Sequence, residues 1–313
     1  MRTLRDTRGQ TVVLTVVFLT GLLAMSGFVL DVGSWYRAHR AAQATSDAAA
    51  LAGAQALPYD RFEAKSFAIE YGDENGGGVA SVTFSQEFVP DDTVTVKVER
   101  EAPGLFARIF GIGSVSVGAK AVARATAPGA AQYVAPVVVN INHSLLPGGL
   151  GCDPLACDPV FNEQTELKLL NLHESGGGDA AGAFGLIDLK GGNGSVGAEE
   201  LAGWMRTGFD QSMPLGIYNS VPSVKFNSSH FRDALAARLN SEILIPIYDT
   251  LVESGSNAEY NVIGWIGFVP TGFTGGGSNG NIVGHFTRVV WKAIAATSAS
   301  QPGFGVRTIS LVG

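Results

Sequence analysis

The sequence predicts an α+β protein: a long N-terminal transmembrane helix that continues into an exported Ala-rich helix, then a small α+β module, then a larger mixed-sheet domain with packed helices. Three observations predict this class. The chain is uncharged and apolar from Gln10 to Leu30, it contains no proline before Pro58, and β-rich segments and Gly-rich loops come after that proline. The expected divisions are residues 1–32 (cytoplasmic tip and transmembrane helix), 33–57 (helical extension), 58–128 (small module) and 133–313 (C-terminal β-rich α+β domain).

The apolar run is long enough to cross a bilayer. A hydrocarbon core about 30 Å thick requires roughly 20 apolar residues of helix, and residues 10–30 meet that requirement without a charge. The alternative is a cleaved signal peptide, whose apolar region usually has about 7–15 residues and ends at a small-residue site. Because the run is longer and the segment Asp31–Arg37 is a poor cleavage context, we expect an intact single-pass anchor.

The arginines predict the orientation of this anchor. Three of them precede the run, at positions 2, 5 and 8, whereas Arg37 and Arg40 come after it and are offset by nearby acidic residues. Lysine and arginine concentrate on the cytoplasmic side of membrane proteins. We therefore expect the protein in the cell membrane, with a cytoplasmic N-terminus and extracytoplasmic C-terminal domains.

Four residues after the run predict the membrane boundary. Trp35 and Tyr36 are placed for an interfacial aromatic belt, and Arg37 lies just beyond them. Asp31 is costly inside lipid and tolerable at the interface. It therefore either marks the boundary or contacts a neighbouring subunit's amino terminus or arginine.

A stripe of small residues continues along the predicted helix. These positions recur at helical spacing and favour close approach of another helix, which predicts homo- or hetero-oligomers through the N-terminal helix. The members of this alanine stripe are Ala41, Ala44, Ala48, Leu51 and Ala52.

The N-terminal block carries a family resemblance. It reads Arg8-Gly9-Gln10, the apolar run, Asp31-Val-Gly33, Tyr36-Arg37, Gln43 and then Asp47-Ala-Ala-Ala-Leu-Ala-Gly-Ala54. This block resembles the N-terminal segment of the TadE/TadG-like family, which is associated with Flp (tight adherence) pilus assembly. The resemblance implies a membrane-anchored, pilin-like accessory or minor subunit, whose partners are the lipid bilayer and other pilus or secretion-system subunits.

Two departures from that family limit what is carried over. Its pseudopilins are cut after a glycine with a glutamate five residues on, whereas Gly9 is followed at that distance by Leu14. Many TadG-type members also carry a von Willebrand A domain with an Asp-x-Ser-x-Ser metal loop, and no such string occurs in this sequence. We expect neither peptidase processing nor metal-dependent adhesion.

The net charge of the chain narrows the range of possible partners. With 21 Lys plus Arg against 28 Asp plus Glu, the net charge is −7, which argues against nucleic acid as a partner because phosphate binding needs clustered cations.

Cys152 and Cys157 stand in a duplicated Cys-Asp-Pro string. An oxidising exterior favours a disulfide there. Two free thiols and a metal site are the alternatives, although two thiolates alone fall short of zinc's usual four ligands.

Alternating apolar residues and helical periodicity predict the elements of the exported part. In the small module we expect a helix at 58–71 with Phe62, Phe67 and Ile69 partly on one side, and a helical turn at 105–110. The expected strands there are 79–89, 93–100 and 115–127. In the larger domain the expected strands are 137–141, 184–189, 243–251, 260–269 and 281–293, and the expected helices are 199–209 and 229–239.

Two short motifs match a nucleotide-binding or catalytic pattern but lack the secondary structure that normally accompanies it. Gly192-Asn-Gly-Ser-Val-Gly197 matches the dinucleotide fingerprint, but no second βα unit comes after it. Gly276-Gly-Ser278-Asn-Gly280 matches a nucleophile elbow with His285 nearby, but a strand rather than a helix is expected after it. The other histidines share no ligand spacing. We expect no catalytic residue, no metal and no cofactor.

These observations favour a non-enzymatic, single-pass envelope protein that acts through helix packing and exported-domain contacts. One alternative is an exported ligand- or surface-binding module on a membrane tether. A second is a membrane-tethered hydrolase that uses Ser278 or a His/Asp pair.

Overall fold

A computed structural model describes residues 8–169, 183–191, 196–252, 258–275, 280–298 and 301–312. The chain forms two compact units. The first comprises residues 1–124 and 310–313, and the second comprises residues 125–309. The observed architecture, a long apolar N-terminal helix with mixed helices and sheets after it, confirms the predicted α+β class.

The first unit begins with two helices. Helix α1 (Arg8–Ala54) is continuous through the apolar run and the Ala-rich extension, as expected for a segment of strong helix formers without proline. Helix α2 (Arg61–Glu74) begins where the carboxylate of Asp60 accepts hydrogen bonds from the backbone N–H groups of Phe62 and Glu63.

The face that α2 buries differs from the prediction. Its buried residues are Ala64, Ala68 and Gly72, whereas Phe62 is 90 % exposed. The apolar residues expected on one side of this helix are therefore not the ones that α2 buries. The physical reason is close helix contact: a Cβ placed on Gly53 of α1 would lie 3.0 Å from the carbonyl oxygen of Ala64, so large side chains do not fit between α1 and α2.

Three antiparallel strands complete the first unit. They are β1 (Val79–Ser85), β2 (Thr93–Pro103) and β3 (Ser114–Thr126). The alternation in β2 buries Val94, Val96 and Val98 completely, as expected for a strand with one face on the core. Both α1 and β1 contact β2, and a 3₁₀ helix (Ala107–Phe110) lies in the loop between β2 and β3.

The second unit is built on a mixed sheet. Its strands are β5 (Val137–Asn140), β6 (Gln164–Leu169), β7 (Ala183–Ile187), β9 (Gly216–Val221), β10 (Ile243–Val252), β11 (Glu259–Thr274) and β12 (Asn281–Thr287). The strand order is β10-β5-β7-β6-β12-β11-β9, and β10 also pairs with β11, so the six strands from β10 to β11 close into a ring.

Helices and short strands surround this ring. Helices α4 (Ala198–Thr207) and α5 (Ser229–Ala236) contact each other and contribute Leu201, Met205 and Phe231 to the core that contains Trp265. The hydroxyl of Ser228 caps α5. The smaller elements are α3 (Pro147–Leu150), β4 (Pro128–Ala131), β8 (Met213–Pro214), β13 (Val289–Val290), β14 (Ala293–Ala295) and β15 (Val306–Leu311).

Several elements differ from the predicted ones. The expected strand over residues 281–293 ends at Thr287, and β13 and β14 are separate because they pair with different strands, β15 and β4. Strands β4, β8, β9 and β15 were not predicted. They are short, and β4 lies in a Pro/Gly/Ala segment that has the composition of a linker.

Candidate membrane and assembly interface

The first half of α1 presents an apolar surface. Its large side chains from Val12 to Leu30 are exposed, with Phe18 at 68 % and Met25 at 70 %. The hydroxyls of Thr15, Thr20 and Ser26 bond to carbonyl oxygens one turn earlier on the same helix, so their polarity is satisfied internally. Helix α1 is long and apolar enough to cross a membrane.

Asp31, at the end of this surface, is an intramolecular cap. Its side chain is 1 % exposed. The Oδ1 atom accepts from the N–H of Leu105 at 2.7 Å and from that of Phe106 at 3.2 Å, and Oδ2 accepts from Phe106 at 3.0 Å and from Ala107 at 2.5 Å. These N–H groups begin the 3₁₀ helix between β2 and β3, so Asp31 fixes this loop to α1.

From Asp31 toward the C-terminal end of α1, one face of the helix contacts the β2–β3 hairpin. Trp35 Nε1 donates to the carbonyl oxygen of Pro103 at 3.2 Å. The Nδ1 atom of His39 lies 2.9 Å from the carbonyl oxygen of Gly118, and Gln43 Nε2 donates to that of Lys120 at 3.2 Å. Positions four apart lie on one side of a helix, so residues 31, 35, 39 and 43 form one contact line.

Two residues after Gln43, another side of α1 contacts the loop after α2. Thr45 is buried and donates to the carbonyl oxygen of Asn75 at 2.5 Å. Its hydroxyl also accepts from Arg100 Nη2 at 2.6 Å, and that guanidinium donates to the carbonyl oxygen of Gly77 at 2.9 Å. Arg100 of β2 thereby joins α1 to the loop after α2. The second half of α1 is part of the first unit's core.

The other boundary residues lie outside this contact line. Tyr36 is 63 % exposed, and Arg37 is exposed as well. Both positions suit side chains that face a headgroup region. Trp35, in contrast, has its indole nitrogen bonded inside the first unit.

The alanine stripe divides between exposed and buried positions. Ala41 and Ala44 are exposed, Ala48 and Leu51 are partly exposed, and Ala52 is buried. The residues that α1 buries in its second half are mainly different ones: Ala42, Thr45, Ser46, Ala49, Ala50, Ala52 and Ala54. Most of the stripe is therefore accessible in the described chain.

The cysteine prediction falls in the second unit. Cys152 and Cys157 form a disulfide with a Cα–Cα distance of 6.1 Å. It closes a short loop after α3. The residues of this loop are mostly exposed, so the bond constrains the loop locally.

Several residues of the catalytic hypotheses lie outside the described parts of the chain. Residues 192–195, in the fingerprint string, and residues 276–279, including Ser278, lie outside them. His285 is on β12 opposite Val269. Across the described parts of the chain, no group of three or more His, Cys, Asp or Glu side chains is placed to hold a metal ion.

His143 is a buried titratable group to which no role was assigned from the sequence. Its Nδ1 accepts from the N–H of Leu145 at 3.2 Å and its Nε2 lies 3.1 Å from Thr165 Oγ1. Its ring meets that of Phe286 edge to face, with centroids 5.2 Å apart. Burial lowers the pKa of His143 to about 4, so it is a neutral core residue near pH 7.

Fold and interface together define a protein with one N-terminal helix fit to span a membrane, whose second half is built into an α+β unit. A model of the TadE/G-like Flp pilus-assembly family matches residues 9–56, which is α1 and the two residues after it. The predicted family resemblance of the N-terminal segment is thereby confirmed. Comparison with curated proteins and with solved structures finds no significant match.

Proposed function

We propose that this protein is a membrane-anchored accessory or minor subunit of a Flp/Tad-type pilus assembly system. The observation that carries the proposal is the coincidence of the family match with α1. The matched segment contains both the exposed apolar half and the half that packs on β2. A pilus-assembly protein needs both a membrane attachment and a rigid connection to its exported part.

In this proposal, residues 10–30 span the membrane with the N-terminus in the cytoplasm. The arginines at positions 2, 5 and 8 support that orientation. The partners are the lipid bilayer and other pilus components. The accessible positions Ala41, Ala44 and Ala48 form the surface for helix packing.

The proposal also assigns no catalytic step. The contacts of α1 and of the exported units would carry the activity. A deletion strain complemented with Ser278→Ala or His285→Ala should therefore produce pili like the wild type. Loss of function in both variants, with normal protein levels, would favour the hydrolase alternative.

Membrane attachment and assembly can be tested together. The full chain should stay with membranes after alkaline carbonate washing, and externally added protease should digest the exported units but leave the N-terminus intact. A photo-crosslinker at Ala44 should capture another pilus component, whereas one at buried Ala42 should not. Release by carbonate, or normal piliation in the deletion strain, would contradict the proposal.

A truncation that preserves the core of the first unit tests the binding-module alternative. The second half of α1 contributes buried residues to the first unit, among them Ala42, Ala49 and Ala50, so removing residues 1–57 would take away part of its core. A chain that begins near Asp31 keeps this packing and removes the apolar half. Assembly activity in that soluble chain would favour a binding module over a membrane subunit.

A further inference from the structure

The loop between β2 and β3 exposes an unusual number of large apolar side chains. Residues 104–113 read Gly-Leu-Phe-Ala-Arg-Ile-Phe-Gly-Ile-Gly. The exposed fractions are 61 % for Leu105, 42 % for Phe106, 78 % for Ile109, 79 % for Phe110 and 46 % for Ile112. A contiguous apolar surface of this kind marks a site of interaction with protein or membrane. We call residues 104–113 the apolar loop.

The apolar loop is held beside the last apolar turns of α1. Asp31 bonds to three of its N–H groups. Phe106 packs on Gly27 so closely that a Cβ at that position would lie 2.7 Å from the ring carbon Cγ. Phe28, Val29 and Leu30 are exposed on α1 at the same level. The apolar surface of the helix therefore continues onto the loop.

The charge of this surface suits an anionic lipid surface. The apolar loop contains no acidic residue, and its one charged side chain is Arg108. Segments that lie in the headgroup region combine Phe, Leu or Ile side chains with basic residues, whose long stems reach the lipid phosphates. Tyr36 and Arg37 on α1 have the same character.

The cap on Asp31 removes the main objection to placing this region near lipid. An ionised carboxylate without partners is costly at the edge of a hydrocarbon core. Here both oxygens accept backbone hydrogen bonds, and the side chain is shielded from its surroundings. The same bonds satisfy N–H groups of the 3₁₀ helix that would otherwise face the bilayer.

We propose that the apolar loop inserts into the headgroup–acyl boundary of the bilayer that α1 spans. This inference rests on the proposed function, because it requires α1 to be a membrane anchor. The first unit would then have two attachments, the helix and the loop. Two attachments fix the height and the tilt of this unit relative to the membrane surface, which a single helix leaves free.

The test uses the full chain reconstituted in vesicles of phosphatidylethanolamine and phosphatidylglycerol. Ile109→Cys is labelled with the environment-sensitive dye NBD, since the two native cysteines are joined in a disulfide. The matched control is Gln86→Cys, an exposed position in the loop at the other end of β2. Spin-labelled lipids should quench the dye at 109 about two-fold, as expected for a probe at the acyl boundary, and should leave the dye at 86 unchanged.

Flotation of the same vesicles separates this inference from the proposed function. A chain that does not float with the vesicles contradicts the membrane anchor itself. A chain that floats while aqueous iodide quenches the dyes at 109 and 86 equally overturns the loop insertion alone. Protection of the dye at 109 from both iodide and lipid quenchers also overturns it, because a protein partner then covers the loop.

A second variant tests whether the apolar side chains cause the insertion. Phe110→Asp, added to the labelled Ile109→Cys chain, places a charge at the most exposed position of the loop. Lipid quenching at 109 should be lost while flotation stays unchanged. Persistent lipid quenching in this variant would show that α1 holds the loop at the membrane passively, which contradicts the proposal.

Discussion

Two aspartates of the first unit hold loops in place through backbone N–H groups. Asp31 binds the loop after β2, and Asp92 binds the loop before it, accepting from the N–H groups of Glu87, Phe88 and Val89. Burial opposes the ionisation of Asp92, but these bonds and the one from Thr93 outweigh it and lower its pKa. Each carboxylate thus determines a loop conformation at one end of β2.

The cap at Asp31 gives a direct prediction. Asp31→Asn keeps one acceptor oxygen and turns an NH₂ group toward backbone donors, so the start of the 3₁₀ helix should open more often. Loss of such a buried bond costs about 1–3 kcal/mol. In detergent, we expect hydrogen–deuterium exchange of a peptide covering residues 105–107 to quicken roughly ten-fold.

Asp47→Asn is the matched control for this experiment. Asp47 lies on the same helix and accepts a side-chain bond from Gln43, at 2.7 Å, but does not bind the loop. The Asp47→Asn substitution should leave hydrogen–deuterium exchange at residues 105–107 unchanged. Equal exchange in Asp31→Asn and the wild type would show that the cap contributes nothing to loop stability.

His143 predicts a pH dependence of stability. Its pKa is lowered to about 4 in the folded chain, from an ordinary value of 6.5, so the unfolded chain binds a proton between these pH values and the folded chain does not. The stability that neutral His143 contributes to the folded chain is fully present above pH 6.5 and is lost as the pH falls toward 4. The free energy of unfolding of the full chain should decrease by on the order of 3 kcal/mol across this window.

Two glutamine variants test whether His143 causes this pH dependence of stability. His143→Gln can preserve one donor and one acceptor without titrating, so its free energy of unfolding should vary less between pH 6.5 and 4. His230→Gln, at an exposed position of α5, should retain the wild-type slope. An unchanged slope in His143→Gln would assign the acid lability to other groups.

At the scale of elements, α1 has two different small-residue faces. The inner face, with Ala49 and Gly53, permits close contact with α2. The outer face, with Ala41 and Ala44, is accessible. Small residues on both faces explain why the helix is rich in alanine: one face serves folding, and under our proposal the other serves assembly.

Leucine substitutions separate these two faces. Ala49→Leu adds volume to a fully buried position and should lower the free energy of unfolding by about 1–3 kcal/mol, measured by denaturant titration in detergent. Ala44→Leu should change it by less than about 0.5 kcal/mol and yet reduce piliation, because the added side chain keeps a neighbouring helix away. Normal piliation in Ala44→Leu would contradict the assembly role.

At the scale of the whole molecule, the chain leaves the first unit after Arg124 and returns to it at Ser310. The returning segment is tied to β3, since the N–H of Val312 donates to the carbonyl oxygen of Val122 at 2.8 Å. Residues 310–313 therefore belong to the first unit although they come after the second unit in the sequence.

This closure predicts an effect of the chain terminus on the first unit. Val312→Pro removes the donating N–H and should lower the free energy of unfolding by about 1 kcal/mol, since the half-buried carbonyl oxygen of Val122 loses its partner. Val312→Ala retains the N–H and should cost less. Thermal unfolding of both full-length variants in detergent provides the comparison, and identical midpoints would show that the bond is dispensable.

Local patterns predicted the elements whose signals lie within a few residues. The uncharged run predicted α1, and the strict alternation of Val94, Val96 and Val98 predicted β2. The helical turn expected at residues 105–110 is followed by Gly111, whose positive φ of 86° ends it. The short strand β9 escaped prediction. Its Gly-Ile-Tyr-Asn-Ser-Val sequence has little alternation, and it is defined by pairing with β7 and β11.

By itself, the sequence determined a helix long enough to span a bilayer and the α+β character of the remaining chain, because hydrophobic length and periodicity are local properties. Only the tertiary structure decided that Asp31 binds a loop 74 residues away, that the second half of α1 is part of a core, and that β10 closes on β11. Such contacts depend on which surfaces fit together in space, and periodicity within one segment carries no information about its distant partner.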